Sequence, residues 1–137
     1  IIGVFMNFSS YFYISSKNIL YCNGKNNFNQ LGCEESKNKI DTIIKHPIFN
    51  DDKGVSVVSK GLYNHHCFVY TNNNELYGFG RNEYNEISKD IDSEKVKPIL
   101  IKYNFGSKIT QIECASQHTL FLTLLGSVFG CGCNDLG

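Results

Sequence analysis

The sequence lacks tryptophan, has only two prolines in 137 residues and carries no net charge, because thirteen basic residues balance thirteen acidic ones. A neutral balance gives no electrostatic basis for binding nucleic acid or an anionic membrane. The first sixteen residues are uncharged, but a membrane-spanning helix needs ~20 apolar residues, and no basic segment precedes them as in a signal peptide. Since the sequence starts at Ile1 rather than at methionine, we expect it to continue a longer chain.

Six cysteines stand at positions 22, 33, 67, 114, 131 and 133. Disulfide frameworks are typical of small secreted domains, and nothing else in the sequence indicates one. A structural zinc site usually takes Cys-x2-Cys pairs, and Cys131-x-Cys133 is one residue tighter. We therefore expect reduced, mostly buried cysteines in an intracellular protein, nuclear or cytoplasmic, with neither a metal nor a cofactor.

Three segments of the chain resemble one another without gaps, over residues 10–24, 66–80 and 118–132. Each has serine or threonine at its sixth position, a turn residue at its ninth and an aromatic residue at its twelfth, and each ends on glycine. The final glycines are 56 and 52 residues apart. Periods of this length indicate a propeller or a solenoid.

Short runs rich in β-branched and aromatic residues predict the strands of this repeat. Asn18, Asn74 and Gly126 lie at equivalent places between two such runs, and residues that accept a positive φ favour a hairpin turn there. Apolar residues on both faces are typical of sheets packed against sheets. The two strands of each hairpin are predicted at 68–71 and 76–79, and at 120–123 and 128–131. A further strand precedes each of these hairpins, at 55–59 and 109–114. Two runs that begin with proline, 47–49 and 98–101, open the second and third copies.

Each copy ends on a glycine and places an asparagine two residues later. The glycine permits a close approach of backbone at the strand end, and the asparagine amide is expected to bond the following loop. These positions are Gly24, Gly80 and Gly132, followed by Asn26, Asn82 and Asn134. The third copy stops at Gly137, in the place of Asn29 and Asn85, so we expect it to be truncated.

No residue pattern in the sequence predicts catalysis. His66 and His118 occupy the same repeat position, which favours a structural role such as bonding a neighbouring main-chain group. His65 points to the opposite face from His66, so this pair does not form a metal site. The Gly-x-Gly pairs that end at Gly80 and Gly132 lack the third glycine and the helix of a nucleotide-binding loop.

Several motifs recur in a fixed order along the chain. They are Cys114-Ala115-Ser116-Gln117-His118-Thr119, Leu120-Phe121-Leu122-Thr123, Gly132-Cys133-Asn134 and Asn26-Asn27-Phe28-Asn29-Gln30-Leu31-Gly32. Together they resemble the repeat of the regulator of chromosome condensation family, over essentially the whole chain. The resemblance implies an all-β fold, a seven-bladed β-propeller of four-stranded antiparallel blades, which is incomplete in this chain. About two and a half repeats are expected, as copies 1–46, 47–97 and 98–137.

The copies depart from the family pattern at several positions. Ser10 replaces the histidine of the other two copies, and the family's Gln-Leu-Gly ending appears as Glu86-Ile87-Ser88 in the second. The tryptophan that usually precedes the glycine is replaced by Asn23, Phe79 and Cys131. The light-sensing role of one plant branch of the family depends on clustered tryptophan, so we reject it here.

The resemblance implies that the chain recognises a protein partner through loops on the propeller rims, as an interaction module or scaffold. The alternative is guanine-nucleotide exchange on a Ran-type small GTPase, as the family's founding member performs. The variable rim loops are predicted at 37–45, 50–53 and 89–97, without a choice of contact residues within them. We also expect residues 1–137 alone to be marginally stable or prone to aggregate, because each repeat buries its faces only against its neighbours.

Overall fold

The computed structural model describes residues 1–33 and 36–135, and over this part of the chain it is built from strands alone. Eleven strands form three antiparallel sheets. They are β1 (Gly3–Asn7), β2 (Ser10–Ile14), β3 (Leu20–Lys25), β4 (Lys39–Lys45), β5 (Val55–Val58), β6 (His66–Thr71), β7 (Leu76–Arg81), β8 (Lys95–Ile101), β9 (Ile109–Cys114), β10 (His118–Thr123) and β11 (Val128–Gly132). The described residues contain no helix long and apolar enough to cross a membrane.

Each sheet follows the chain in order, as β1-β2-β3-β4, β5-β6-β7-β8 and β9-β10-β11. The pairing register repeats as well, because Ser10 lies opposite Gly24, His66 opposite Gly80 and His118 opposite Gly132. The prediction of an all-β fold made of four-stranded antiparallel blades, only part of a propeller, is therefore confirmed.

The first strands of the three sheets lie side by side on the inner side of the molecule. Isolated parallel bridges join Asn7 to Gly61 and Lys60 to Glu113, so β1, β5 and β9 point the same way. The last strands β4 and β8 lie outside and expose most of their side chains. The loops consequently fall on two opposite faces. The upper face carries the loop residues 8–9, 26–33, 36–38, 59–65, 82–94 and 115–117, and the lower face carries 15–19, 46–54, 72–75, 102–108 and 124–127.

Two apolar clusters hold the sheets together. Phe12 meets Phe79 between the first and second sheets, and Phe68 meets Phe121 edge-on between the second and third, with 5.0 Å between ring centroids. Each fully buried ring contributes about 2 kcal/mol. The second sheet is covered on both faces, which explains why β6 is buried along its whole length. The expectation of two apolar faces per strand applies best to this central sheet.

Two expected strands differ from the structure. Residues 47–49 form no strand, because the His46 Nδ1 accepts the N–H groups of Ile48 and Phe49 and turns Phe49 into the core. The outer strand of the first sheet is β4, Lys39–Lys45, at residues predicted to lie in the rim loop 37–45. Pro98 lies inside β8 rather than at its start, where the outer edge tolerates its missing N–H. The sheets thus span 3–45, 55–101 and 109–132, so residues 98–101 pair with the second sheet rather than the third.

Candidate interaction surface

The repeated glycines bring the loops of the upper face against the ends of the third strands. Gly24, Gly80 and Gly132 have φ values of 111°, 106° and 125°. A Cβ at Gly80 would lie 2.5 Å from the His65 carbonyl oxygen, and at the other two glycines it would meet the equivalent carbonyls even more closely. The next residue in each copy bonds that same carbonyl, as when the Arg81 N–H donates to His65 at 2.9 Å. Glycine at this position therefore sets Phe8 beside Lys25 and His65 beside Arg81.

The asparagines that follow the glycines fix the next loop. The Asn26 amide donates to the Cys33 carbonyl at 2.7 Å, and its oxygen accepts the Leu31 N–H at 3.0 Å. Asn82 repeats this arrangement with Ser88 and Ile87, at 2.9 Å each. Asn134 is exposed, and the predicted end of the third copy at Gly137 lies outside the described residues.

Gln30 and Glu86 perform the same structural task in the first and second copies. The Gln30 Oε1 accepts the Phe28 N–H at 2.8 Å, and the Glu86 Oε2 accepts the Tyr84 N–H at 2.8 Å. Both side chains are buried, and the second carboxylate oxygen of Glu86 lies 4.0 Å from the Arg81 Nε. The Glu-Ile-Ser ending thus makes the same loop hydrogen bond as Gln-Leu-Gly, and its carboxylate lies within salt-bridge distance of Arg81.

The two repeated histidines have different partners. His118 Nε2 lies 2.8 Å from the Cys133 carbonyl, a main-chain partner of the expected kind, and Ser10 makes the matching bond to Lys25 in the first copy. His66 is fully buried, and its Nε2 lies 2.7 Å from the Thr119 hydroxyl of the next sheet. The Thr119 side chain is thus a partner of this histidine, and the His118 main chain is a second one. Burial lowers the pKa of His66 to about 3, so the ring is neutral.

The predicted hairpin positions lie on the lower face. Asn18, Asn74 and Gly126 have positive φ values of 59°, 62° and 84°, and each closes the turn between the second and third strands of its sheet. The loops that carry Asn50 to Lys53 also lie on this face, where Lys45 pairs with Asp51 at 2.6 Å. The lower face is therefore built from short turns and local ion pairs.

No disulfide forms among the described cysteines, and the Cys22 and Cys33 sulfur atoms lie 3.5 Å apart. Cys22, Cys33, Cys67 and Cys114 are buried, while Cys131 and Cys133 are half-buried. Burial raises the pKa of the Cys131 thiol to about 11, so it is protonated at neutral pH. Among the described residues, no three histidine, cysteine or carboxylate side chains come together as metal ligands.

A run of alternating aromatic and cationic side chains crosses the upper face from the first sheet to the second. We call it the aromatic–cation stack, and its members are Phe8, Lys25, Phe28, Tyr63, His65, Arg81, Tyr84 and Lys95. The His65 ring lies between Phe8 and Phe28, with centroid distances of 5.2 and 4.7 Å. Tyr63 contacts the outer side of Phe8 at 5.9 Å, and it is held there by a positive φ of 61°.

The cations lie over the rings of the stack. The Lys25 Nζ is 5.4 Å from the Phe8 centroid, and the Lys95 Nζ is 5.7 Å from that of Phe28. The Arg81 guanidinium contacts both Phe28 and Tyr84, at 5.8 and 5.2 Å. Such contacts hold long side chains in place at a surface.

The stack carries an excess of positive charge. The Arg81 Nε donates to Glu83 at 2.9 Å, whereas Lys25 and Lys95 form no salt bridge with any described residue. Burial, followed by the charges of Arg81 and Lys25, lowers the pKa of His65. The chain as a whole has no net charge, so the positive charge of this surface is a local excess.

The sequence pattern alone did not predict this surface. Of the three predicted rim loops only 89–97 contributes a member, Lys95. A signal was nevertheless present, because Lys25 and Arg81 each follow the repeat glycine, and Phe28 and Tyr84 lie four residues after it. The remaining members come from distant parts of the chain and meet only through the packing of the sheets.

Comparison with known proteins identifies the repeat. Two family models, each described as regulator of chromosome condensation (RCC1) repeat, match residues 73–122 and 109–137. A curated relative, the probable E3 ubiquitin-protein ligase HERC4 of Rattus norvegicus, is 29% identical over 126 residues, which are 90% of this chain and 11% of HERC4. The chain thus spans about a tenth of that relative's length.

Solved structures share the fold. Human WBSCR16 superimposes with a TM-score of 0.83 at 21% identity, over 96% of this chain and 32% of that protein. Prp20p of Saccharomyces cerevisiae, which binds Gsp1p and histones, superimposes with a TM-score of 0.73 at 20% identity, over 97% of this chain and 32% of Prp20p. The chain therefore matches about a third of each of these folds.

Proposed function

Because this chain belongs to the regulator of chromosome condensation repeat family, we propose that it is a protein-recognition module or scaffold that binds its partner through the upper face. The observation that supports this most directly is the aromatic–cation stack. Aromatic and arginine side chains are the residue types that contribute most at protein interfaces. Here they are already ordered by stacking and by the glycine-dependent backbone bonds, so that binding has less conformational entropy to overcome.

The proposed role is recognition without chemistry in this chain. HERC4 is a ligase, but the matched region is 11% of it, so the relative's activity is not carried over. The proposed partner is a protein that contacts the rim loops, rather than a nucleic acid or a membrane. We further propose an intracellular location, supported by six cysteines that form no disulfide among the described residues, and a fluorescent fusion of the full-length protein would test it.

A second candidate function is guanine-nucleotide exchange on a Ran-type small GTPase. The fold similarity to Prp20p, which binds Gsp1p, favours it over other regulatory roles. The test is GDP release from a purified Ran-type GTPase with and without the full-length natural protein. Acceleration at catalytic concentrations would establish exchange activity. Unchanged release, with the protein shown to be folded, would remove this candidate and leave the recognition module.

The recognition proposal is tested by partner capture with surface variants. A Phe8→Ala/Tyr63→Ala variant removes two exposed rings of the upper face, and a Leu124→Ala/Leu125→Ala variant removes two exposed apolar side chains of the lower face. Cross-linked partners should be lost from the first variant and retained by the second. Equal retention by both variants would show that the partner does not use the upper face.

A further inference from the structure

We propose that the aromatic–cation stack binds an acidic peptide segment of the partner, with carboxylates on Lys25 and Lys95 and an apolar side chain on Phe8 and Tyr63. This inference rests on the proposed recognition function and specifies the chemistry of its ligand. Three features of the stack support it: its unpaired cations, its exposed rings and the surroundings of His65.

The cations of the stack are available to a ligand. Lys25 and Lys95 are exposed, each lies over a ring that restricts it, and neither has a carboxylate partner among the described residues. Four other surface lysines are paired, Lys39 with Asp41, Lys45 with Asp51, Lys53 with Glu75 and Lys60 with Glu113. Among the lysines that form no salt bridge with a described residue, Lys25 and Lys95 are the two that lie over rings, and both rings belong to one stack. Two ordered and unpaired cations on one surface favour an anionic ligand there.

The rings beside them provide an apolar contact. Phe8 is 39% exposed and Tyr63 70% exposed, although both are large aromatic residues and stack on one another. Tyr63 has a positive φ of 61°, a backbone conformation that L-residues rarely take. Such strained residues cluster at functional sites, so this conformation supports a binding role for the exposed ring. An acidic segment with one apolar side chain would cover these rings while its carboxylates meet the lysines.

His65 lies in the middle of the stack, close to the cations Arg81 and Lys25. Its Nδ1 is buried and has no hydrogen-bond partner among the described residues. Arg81 and Lys25 lie close enough to lower the pKa of this ring in addition to burial. A carboxylate placed beside these cations would gain a favourable electrostatic interaction.

The same features disfavour a nucleic acid as the ligand. A nucleic-acid backbone is bound by many cations along its length. Here only two lysines are unpaired, and Glu83 places a negative charge beside Arg81. A short acidic peptide requires no more than the two charges that the site offers.

The test is fluorescence anisotropy with the full-length natural protein and three labelled probes of equal length. The first is a peptide of glutamate and aspartate with a single central phenylalanine, the second replaces its acidic residues by lysine, and the third is a single-stranded oligonucleotide. We expect the acidic peptide to bind, the basic peptide not to bind, and the acidic complex to weaken as salt is raised from 50 to 300 mM.

Charge reversal places the binding site. Lys25→Glu/Lys95→Glu should weaken the acidic probe by about tenfold or more, because it sets like charges against one another. Lys17→Glu/Lys108→Glu makes the same change in charge at exposed lysines of the lower face and should leave affinity within about twofold. Thermal unfolding of both variants shows whether they remain folded.

Three results would overturn the inference. They are no binding of the acidic peptide, equal loss in both charge-reversal variants, and tighter binding of the oligonucleotide than of the peptide. None of them decides the proposed function, which is judged by capture of the natural partner with the Phe8→Ala/Tyr63→Ala variant. If capture is lost there but survives Lys25→Glu/Lys95→Glu, the recognition face stands and the acidic ligand is wrong.

Discussion

Gly80 shows at the scale of one residue how a close backbone approach shapes the upper face. Its φ of 106° and the nearby His65 carbonyl exclude a side chain, whereas Gly106 has a φ of 68° with open space around its Cβ direction. Gly80→Ala should destabilise the protein by about 3 kcal/mol, since backbone must move. Gly106→Ala should cost about 1 kcal/mol, from its φ alone. Urea unfolding of the two variants checks this, and equal losses would contradict the steric explanation.

The buried histidines predict a loss of stability in acid. Burial lowers the pKa of His46 to about 4 and that of His66 to about 3, below the value of about 6.5 in an unfolded chain. The unfolded state therefore binds more protons below pH 6.5, and the stability that is present above this pH is lost as pH falls toward the folded-state values. At pH 5 each histidine should remove about 2 kcal/mol.

Urea unfolding at pH 7.5 and pH 5 measures this loss. A His46→Gln variant, which cannot titrate in this range, is the control. It should be less stable at pH 7.5, because its contacts with Leu31 and Phe49 change, yet its stability should fall by about 2 kcal/mol less on acidification. The same pH dependence in the variant and in the natural protein would show that His46 is not responsible.

At the scale of the elements, one threonine links the second and third sheets. Thr119 in β10 donates to the Glu86 carbonyl at 3.2 Å and accepts from the His66 ring at 2.7 Å, both across the sheet boundary. Thr119→Val keeps the shape but removes the side-chain partner of the buried His66 ring and one of the two hydrogen bonds to the Glu86 carbonyl, which keeps that of the Cys131 thiol. We therefore expect a loss of about 1–3 kcal/mol. Thr110→Val, at an exposed residue of β9, should change stability little. Equal unfolding midpoints for the two variants would contradict this link.

The strands also show how far sequence patterns extend. The central strands β6 and β7 could be predicted because they are buried on both sides and are rich in aromatic residues, with few charges. The outer strand β4 is not readable, since only Ile40 of its seven residues is fully buried and the rest resembles a charged loop. The stack was missed for a different reason. Repeat positions predict Lys25 beside Phe28, but not the approach of Tyr63 and His65 from the neighbouring sheet.

At the scale of the whole molecule, the two flanking sheets differ from the central one. The first sheet exposes Val4 at 60%, and the third exposes Leu120 at 53% and Val128 at 62%. The third sheet also borders a groove of about 600 Å³ lined by Phe105, Phe121 and Phe129. Exposed apolar surface on the two end sheets favours association with other protein molecules.

We therefore predict that residues 1–137, produced alone, associate in solution instead of forming a stable monomer. The physical reason is that the outward faces of the first and third sheets remain apolar, as the exposed Val4 and Val128 show. Sedimentation velocity at increasing concentration measures the association. A Val4→Thr/Val128→Thr variant should raise the monomer fraction, whereas Thr42→Ser on the outer strand β4 should leave it unchanged. A monomer with a single two-state unfolding transition would contradict the prediction and show that three sheets suffice for an independent fold.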